Sequence, residues 1–525
     1  MTLPPSLLTL ADASGWQASL EKSRELRSDQ GQFFTPPAIA RSLAGWFSVE
    51  SFNQPNVHVL DPGAGGGALT AAVVERLVTL RANGKLPALR EVILEVWELD
   101  ESFHPTLSQN LAAAGGLLSQ VGIHPVLRLH SGNYIEAAVR SLEENLFDDR
   151  TRSTVTHAIL NPPYRKIATR SKERAWLGSV GIETSNLYAA FVALAVRQLT
   201  SDGELTAITP RSFCNGPYFR EFRRELLSRA TFHRVHLFDS RSEAFSRDQV
   251  LQENILFHLR RETTAPSQVM LSNGPLAAPL ESPIPYDRFV SPVDPDRVIH
   301  LATETDACDV RGFFEALPCR LPDLNLEVST GPVVDFRLKE ALAYQLESDA
   351  VPLLYPHAVK AGTVSPPRTR STDYPHGRLS KKAVAIRNDA TSRKWLLPVA
   401  RFVLIKRFSA KEEKRRLVAG VLNPDDFSQD LIGIENHLNF FHHKRSGLPL
   451  ALARGLSRFL NSTVADRYFR QFNGHTQVNA SDLRALRYPD AKALERLGSL
   501  DLDDTQQHSI DLALTELLGA PSFAV

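Results

Sequence analysis

Val57-His58-Val59-Leu60 runs directly into Asp61-Pro62-Gly63-Ala64-Gly65-Gly66-Gly67, and an apolar-rich stretch from about Leu69 to Leu80 follows. A short buried strand, a glycine-rich turn and a helix make the first βα unit of a nucleotide-binding sheet. No other stretch restricts the fold as much, because a helix that leaves such a strand commits the chain to an α/β layer arrangement. Glycine at these positions lets main chain approach a ligand closely. An acidic residue opens the loop, and a carboxylate at Asp61 repels a pyrophosphate but accepts a cationic amino group. The Gly-Lys-Ser/Thr ending of a nucleoside-triphosphate loop is absent.

The pattern then repeats. Val92-Ile93-Leu94-Glu95-Val96-Trp97-Glu98-Leu99-Asp100 reads as the next strand, and an acid at its end is placed to take the two hydroxyls of a ribose. Glu98 is the first candidate and Asp100 its competitor, with Leu99 expected against an adenine ring. Val126–His130 is a third strand, followed by Ser131-Gly132-Asn133-Tyr134. Asn133 and Tyr134 can bond an adenine amino group and pack on its face, or can be plain turn residues. A loop opened by an acid points away from NAD and towards S-adenosyl-L-methionine, whose sulfonium and ammonium are positive. Ala158-Ile159-Leu160 is a fourth buried strand, stopped by Asn161-Pro162-Pro163-Tyr164. The Asn161 amide oxygen, the Pro162 carbonyl and the flat face of Tyr164 suit a planar base with an exocyclic NH₂ group. Taken alone the tetrapeptide is also an ordinary turn. Later helical and strand-like runs, ending at Asn254–Leu259, complete a doubly wound sheet.

With 525 residues the chain needs two or three domains. Seven prolines between Pro266 and Pro295 read as a linker, which gives an expected first domain at 1–265, a linker at 266–300 and a second domain at 301–525. Three cysteines and no tight Cys/His grouping fit a reducing cytoplasm, with no metal site expected. The apolar run Leu187–Val196 is too short to span a bilayer, and the N-terminus lacks the layout of a signal peptide. The net charge is +1, yet residues 351–420 hold 16 Lys+Arg against 4 Asp+Glu, a net of +12 that leaves −11 for the remainder. One basic segment interleaved with Tyr355, Tyr374, Trp395 and Phe408 suggests a site for a polyanion.

Ahead of all these lies Gly31-Gln32-Phe33-Phe34-Thr35-Pro36-Pro37, in which Thr35 reads as a helix cap with Pro36 in the first turn. In this order the motifs resemble the amino-group DNA methyltransferases of bacterial restriction–modification systems. The resemblance is closest to the adenine-specific group, with donor motifs first and a target-recognition domain last. It covers about residues 30–260 motif by motif and 320–490 more loosely. It implies a Rossmann-like methyltransferase sheet followed by a mixed α+β domain that reads DNA, with S-adenosyl-L-methionine as donor. Phe34, Thr35 and Pro36 then contact the donor, as do Asp61, Gly63, Gly65, Gly67, Glu98, Leu99, Asn133 and Tyr134. Asn161, Pro162 and Tyr164 hold the target base. Phe245 is the expected second aromatic clamp and Phe213 an alternative, and a core role stays open for both. The family usually has an acid where Asn133 stands. Duplex DNA is the expected partner, a separate cognate restriction endonuclease is allowed for, and no membrane is expected. The same Asn-Pro-Pro-Tyr spelling occurs in enzymes that methylate RNA or a protein glutamine, so those remain the alternatives. Only 30 residues precede Gly31, too few for a fused nuclease domain.

Overall fold

The computed structural model describes residues 6–20, 34–145, 155–238, 253–301, 304–346, 348–367, 382–409, 413–472, 477–504 and 506–521. Two compact units divide the chain, Met1–Glu304 and Thr305–Val525.

The first unit is a doubly wound α/β layer structure. Its strands are β1 (Asn56–Pro62), β2 (Glu91–Glu98), β3 (His124–Ser131), β4 (Val155–Leu160), β5 (Leu199–Pro210), β6 (Thr231–Leu237), β7 (Asn254–Arg260), β8 (Gln268–Asn273) and β9 (Leu280–Pro285), in the order β3-β2-β1-β4-β5-β7-β6-β8-β9. Helices α1 (Leu7–Leu20), α2 (Pro37–Trp46), α3 (Ala68–Ala82), α4 (His104–Gln120), α5 (Tyr134–Asn145), α6 (Lys172–Ser179), α7 (Leu187–Gln198) and α8 (Arg220–Leu227) connect or flank them. Strand β1 pairs in parallel with β2 (Asn56↔Glu91 to Pro62↔Trp97) and with β4 (Leu60↔Ala158). From β1 the chain winds outward to β2 and β3, then returns to β4 on the other side. The strand order therefore reverses between β1 and β4, and a crevice opens beyond their carboxyl ends.

Alternation along β4 shows how both faces are covered. Ala158 and Leu160 join a core with residues of α5, α7 and α8, whereas Ile159 joins the other core with residues of α1 to α4. Helix α7 is buried from Leu187 to Val196, so the apolar run is an interior helix. No helix among the described residues is long and apolar enough to cross a membrane.

The proline-rich stretch expected to be a linker instead continues the sheet. Strand β8 lies parallel to β6, and β9 returns antiparallel to β8 as the last strand. Pro283 and Pro285 sit in β9, where an edge strand does not need every N–H. Phe289, just past it, is buried against Phe232 with ring centroids 5.3 Å apart. The first unit therefore runs about forty residues beyond the expected boundary, to Glu304.

Among the described residues the second unit contains a six-stranded and a five-stranded sheet of short strands, such as Ala385–Arg387, Val403–Lys406 and Ala419–Val421. The helices Leu450–Asn461 and Ala491–Ser499 cross closely: Gly455 lies against the Leu494 carbonyl and Gly498 against that of Ala451, with no room for a side chain at either glycine. Part of the basic segment is interior. Arg416 is 1% exposed and its Nε donates to Ser409 Oγ at 3.1 Å, while Arg415 donates to the Asn461 carbonyl.

Candidate active site

The glycine loop is held in place by main-chain hydrogen bonds. Gly63, Gly65 and Gly67 have φ of +80°, +54° and +84°, conformations that glycine adopts without strain. The Gly63 and Ala64 N–H groups donate to the Trp97 carbonyl at 2.8 and 2.9 Å, which fastens the loop to the end of β2. Gly65 N–H donates to Glu98 Oε2 and Asp100 N–H to Glu98 Oε1, both at 2.8 Å. Two main-chain donors thus fix the plane of a carboxylate that is 7% exposed and faces the cavity.

Beyond the loop lies a cavity of ≈ 460 Å³, within the usual range for small-molecule sites. Gly63, Gly65, Glu98, Leu99, Asn133, Tyr134, Phe34, Thr35 and Asn161 all line it. Leu99 is 66% exposed on that wall, an apolar surface set out for a flat ligand. Trp97 also faces the cavity; its ring stacks on His130 at 4.2 Å and its Nε1 donates to Glu95 Oε1 at 3.1 Å. Burial works to raise the Glu95 carboxyl, but hydrogen bonds from His58 and Trp97 outweigh it and hold the group down at about 2.

Several of the expected residues are placed differently from their assigned roles, Gly67 among them, which is absent from the cavity wall. Asp61 is fully buried behind the loop and is absent from the cavity wall: its Oδ2 accepts from Thr70 N–H at 3.2 Å and from Thr70 Oγ1 at 2.7 Å. Its Oδ1 has no hydrogen-bond partner among the described residues, and burial pushes its pKa up to about 7 against the two Thr70 bonds. Asn133 lines the cavity, but its Oδ1 accepts from Ile135 N–H at 3.0 Å and so starts α5. Tyr134 is 3% exposed, with its hydroxyl donating to Gln198 Oε1 at 2.7 Å and its ring packed 5.0 Å from Phe191. Pro36, not Thr35, occupies the cap of α2, and it is off the wall.

The Thr35 hydroxyl is instead engaged at the other end of the site, where it accepts from Asn161 Nδ2 at 2.9 Å. Asn161 follows the last residue of β4, and its Oδ1 lies 3.1 Å from the Tyr164 hydroxyl, which is also 3.1 Å from the Ile208 carbonyl. The amide is therefore oriented from both sides: Nδ2 faces a hydroxyl oxygen and Oδ1 a hydroxyl donor. Pro162 is buried, Pro163 reaches the cavity, and the Tyr164 ring is half-buried between the two cores, edge-on to Tyr188 at 6.3 Å. Tyr164 itself is not on the wall of this cavity. Phe213, the alternative clamp, is 1% exposed and packs against Phe222 and Phe257, so it is a core residue. Phe245 and Gly31–Phe33 lie outside the described residues.

Several wall residues were not singled out from sequence: Ala11 and Asp12 of α1, Phe103, Arg165 and Phe191. The one available signal was in α1, where Leu7, Leu8, Ala11 and Gly15 form a buried stripe at helical spacing.

The chain is 40% identical over 520 residues, 98% of both chains, to the type II methyltransferase M.PstI of Providencia stuartii, and 42% identical over 502 residues, 94% of both, to M.BsuBI of Bacillus subtilis. It belongs to the type II DNA methyltransferases of bacterial restriction–modification systems. A family profile described as Eco57I restriction-modification methylase matches residues 154–245 of this methyltransferase, the stretch that begins at β4 and contains Asn161–Tyr164. Among solved structures, the Type IIL restriction-modification enzyme MmeI in complex with DNA is similar with a TM-score of 0.58 at 11% identity, over 98% of this chain and 80% of that one, a likeness of fold.

Proposed function

We propose that this methyltransferase moves the methyl group of S-adenosyl-L-methionine to the N6 amino group of an adenine swung out of duplex DNA, as the modification part of a restriction–modification system. The observation that carries the reading is that Asn161 and the Gly63–Gly66 loop line one cavity. The wall suits the donor: Glu98 offers a carboxylate for the ribose hydroxyls, Leu99 an apolar face, and Asp12, Asp100 and Glu101 add negative charge that suits its sulfonium and ammonium. When bound, the donor supplies a methyl group already activated on sulfonium. The protein's task is to align an amine with it. An aromatic amine is a poor nucleophile because its lone pair is delocalised into the ring. Asn161 Oδ1 and the Pro162 carbonyl accept the two amine hydrogens and draw the nitrogen towards a pyramidal shape. The nitrogen–carbon bond forms as the carbon–sulfur bond breaks, and the proton leaves the methylated nitrogen to solvent. Placement and preorganised dipoles supply most of the gain. The base must leave its stack, at a cost of a few kcal/mol. Stacking on Tyr164 and, as a second clamp, Phe245 offsets that by about 1–3 kcal/mol per ring. The second unit is assigned to target reading, a cognate endonuclease is the functional counterpart, and the setting is the cytoplasm.

Incubating the protein with duplex DNA and methyl-labelled donor, then digesting to nucleosides, tests this reading. Label in N6-methyladenine is expected. Label in N4-methylcytosine would overturn the choice of base. Label in ribosomal RNA or protein but not DNA would favour the alternative substrates.

A further inference from the structure

We infer that Asp12 of the N-terminal helix holds the ammonium group of the donor's amino-acid moiety, and that α1 is seated on the glycine loop to bring it there. The inference rests on the donor reading above. Such a ligand has a nucleoside end, whose ribose hydroxyls suit one acid, and a zwitterionic amino-acid end, whose ammonium suits another. Asp61, the sequence-based choice for the amino group, faces Thr70 and is off the wall. Glu98 ends β2 and Asp100 follows it, where the nucleoside belongs, and Asp100 Oδ1 accepts from Ser102 N–H at 3.2 Å and Oγ at 2.7 Å. Asp12 reaches the same cavity from the side of the glycine loop.

The seating of α1 is specific. A Cβ built on Gly15 would lie 3.1 Å from Gly66 Cα, and one built on Gly66 would lie 2.6 Å from Gly15 Cα and 3.2 Å from the Ala11 carbonyl oxygen. Neither glycine has a positive φ, so a side chain would meet no backbone strain there. What both positions require is the absence of a side chain between helix and loop. A glycine inside a helix is unfavourable relative to alanine, so close approach is the physical reason for Gly15. Asn110 of α4 clasps the pair: its Nδ2 donates to Gly66 O at 2.8 Å and Ser14 Oγ at 3.1 Å. Trp16 meets Phe34, another wall residue, edge-on at 6.3 Å. Asp12 lies next to Ala11 on this clamped face and is half-buried.

Two ligands separate the ends of the donor. S-adenosylhomocysteine carries the ammonium, and methylthioadenosine is the same nucleoside thioether without the amino acid. Calorimetric titration of the full chain should show Asp12→Asn weakening S-adenosylhomocysteine by on the order of tenfold, as for a hydrogen bond to a charged group, with methylthioadenosine unchanged. Unchanged affinity for both, or equal loss for both, would overturn the assignment, the second result making Asp12 a packing residue. If the wild-type chain binds neither ligand, the donor reading falls and this inference with it.

Discussion

At the glycine-loop end the cavity wall is main chain and carboxylate, with hydrogen bonds made inside the fold. At the Asn161 end a side-chain amide is instead held between two hydroxyls, one from a distant segment and one from three residues on. Gly63, Ala64 and Gly65 are each tied to β2 through their N–H groups. Asn161 depends on Thr35, 126 residues earlier, and on Tyr164. The first arrangement is a rigid socket that any ligand of the right shape can enter. The second is an aimed polar group, whose value lies in the direction in which one lone pair points.

The largest expected effect breaks the aimed end alone. Asn161→Ala should lower methyl transfer by roughly 10²–10³, the loss typical of one preorganised hydrogen-bonding group, while calorimetric donor affinity stays as in the wild type. Parallel loss of both would show that the two ends are not separable. A smaller effect is expected at the socket. Glu98→Gln turns an NH₂ towards one of two main-chain N–H donors, and donor affinity should fall by about tenfold, as for a mismatched buried polar pair. Transfer at saturating donor should hold; a fall in that rate would mean Glu98 also acts on the reacting atoms.

The smallest effect sharpens the account of what supports the socket. Because the folded protein raises Asp61 from 3.8 to about 7, its neutral form is favoured in the native state. Its contribution to stability is full below the unfolded value and is lost as pH rises through about 7. Asn can still accept from Thr70 and has no charge to lose. Thermal melts of Asp61→Asn should therefore gain on the wild type between pH 5 and pH 8. A constant difference across that range would show that Asp61 titrates normally.

What sequence reveals here follows from how each group is placed. Glycine loop, Glu98 and Asn161 could be located because each stands at the end of a strand, and the crevice of a doubly wound sheet forms there. The direction of a side chain at such a place is another matter. Asp61 turns to Thr70 in the first turn of the next helix, and Asn133 to the start of its own helix, choices made by local hydrogen bonding. The Thr35–Asn161 bond and the Gly15–Gly66 contact join segments that no spacing rule connects. Residues 266–285 misled because proline density has two physical meanings, a linker and a sheet edge, and only the neighbouring strand distinguishes them.

That edge also bears on how copies of the chain meet in solution. Pro283 and Pro285 are two residues apart, so their ring nitrogens point to the same side of β9. A proline nitrogen carries no hydrogen, and with β8 paired on the inner side, the outer rim lacks donors where a foreign strand would need them. The edge of an open sheet is otherwise a template for aggregation, and these two rings oppose strand addition at β9.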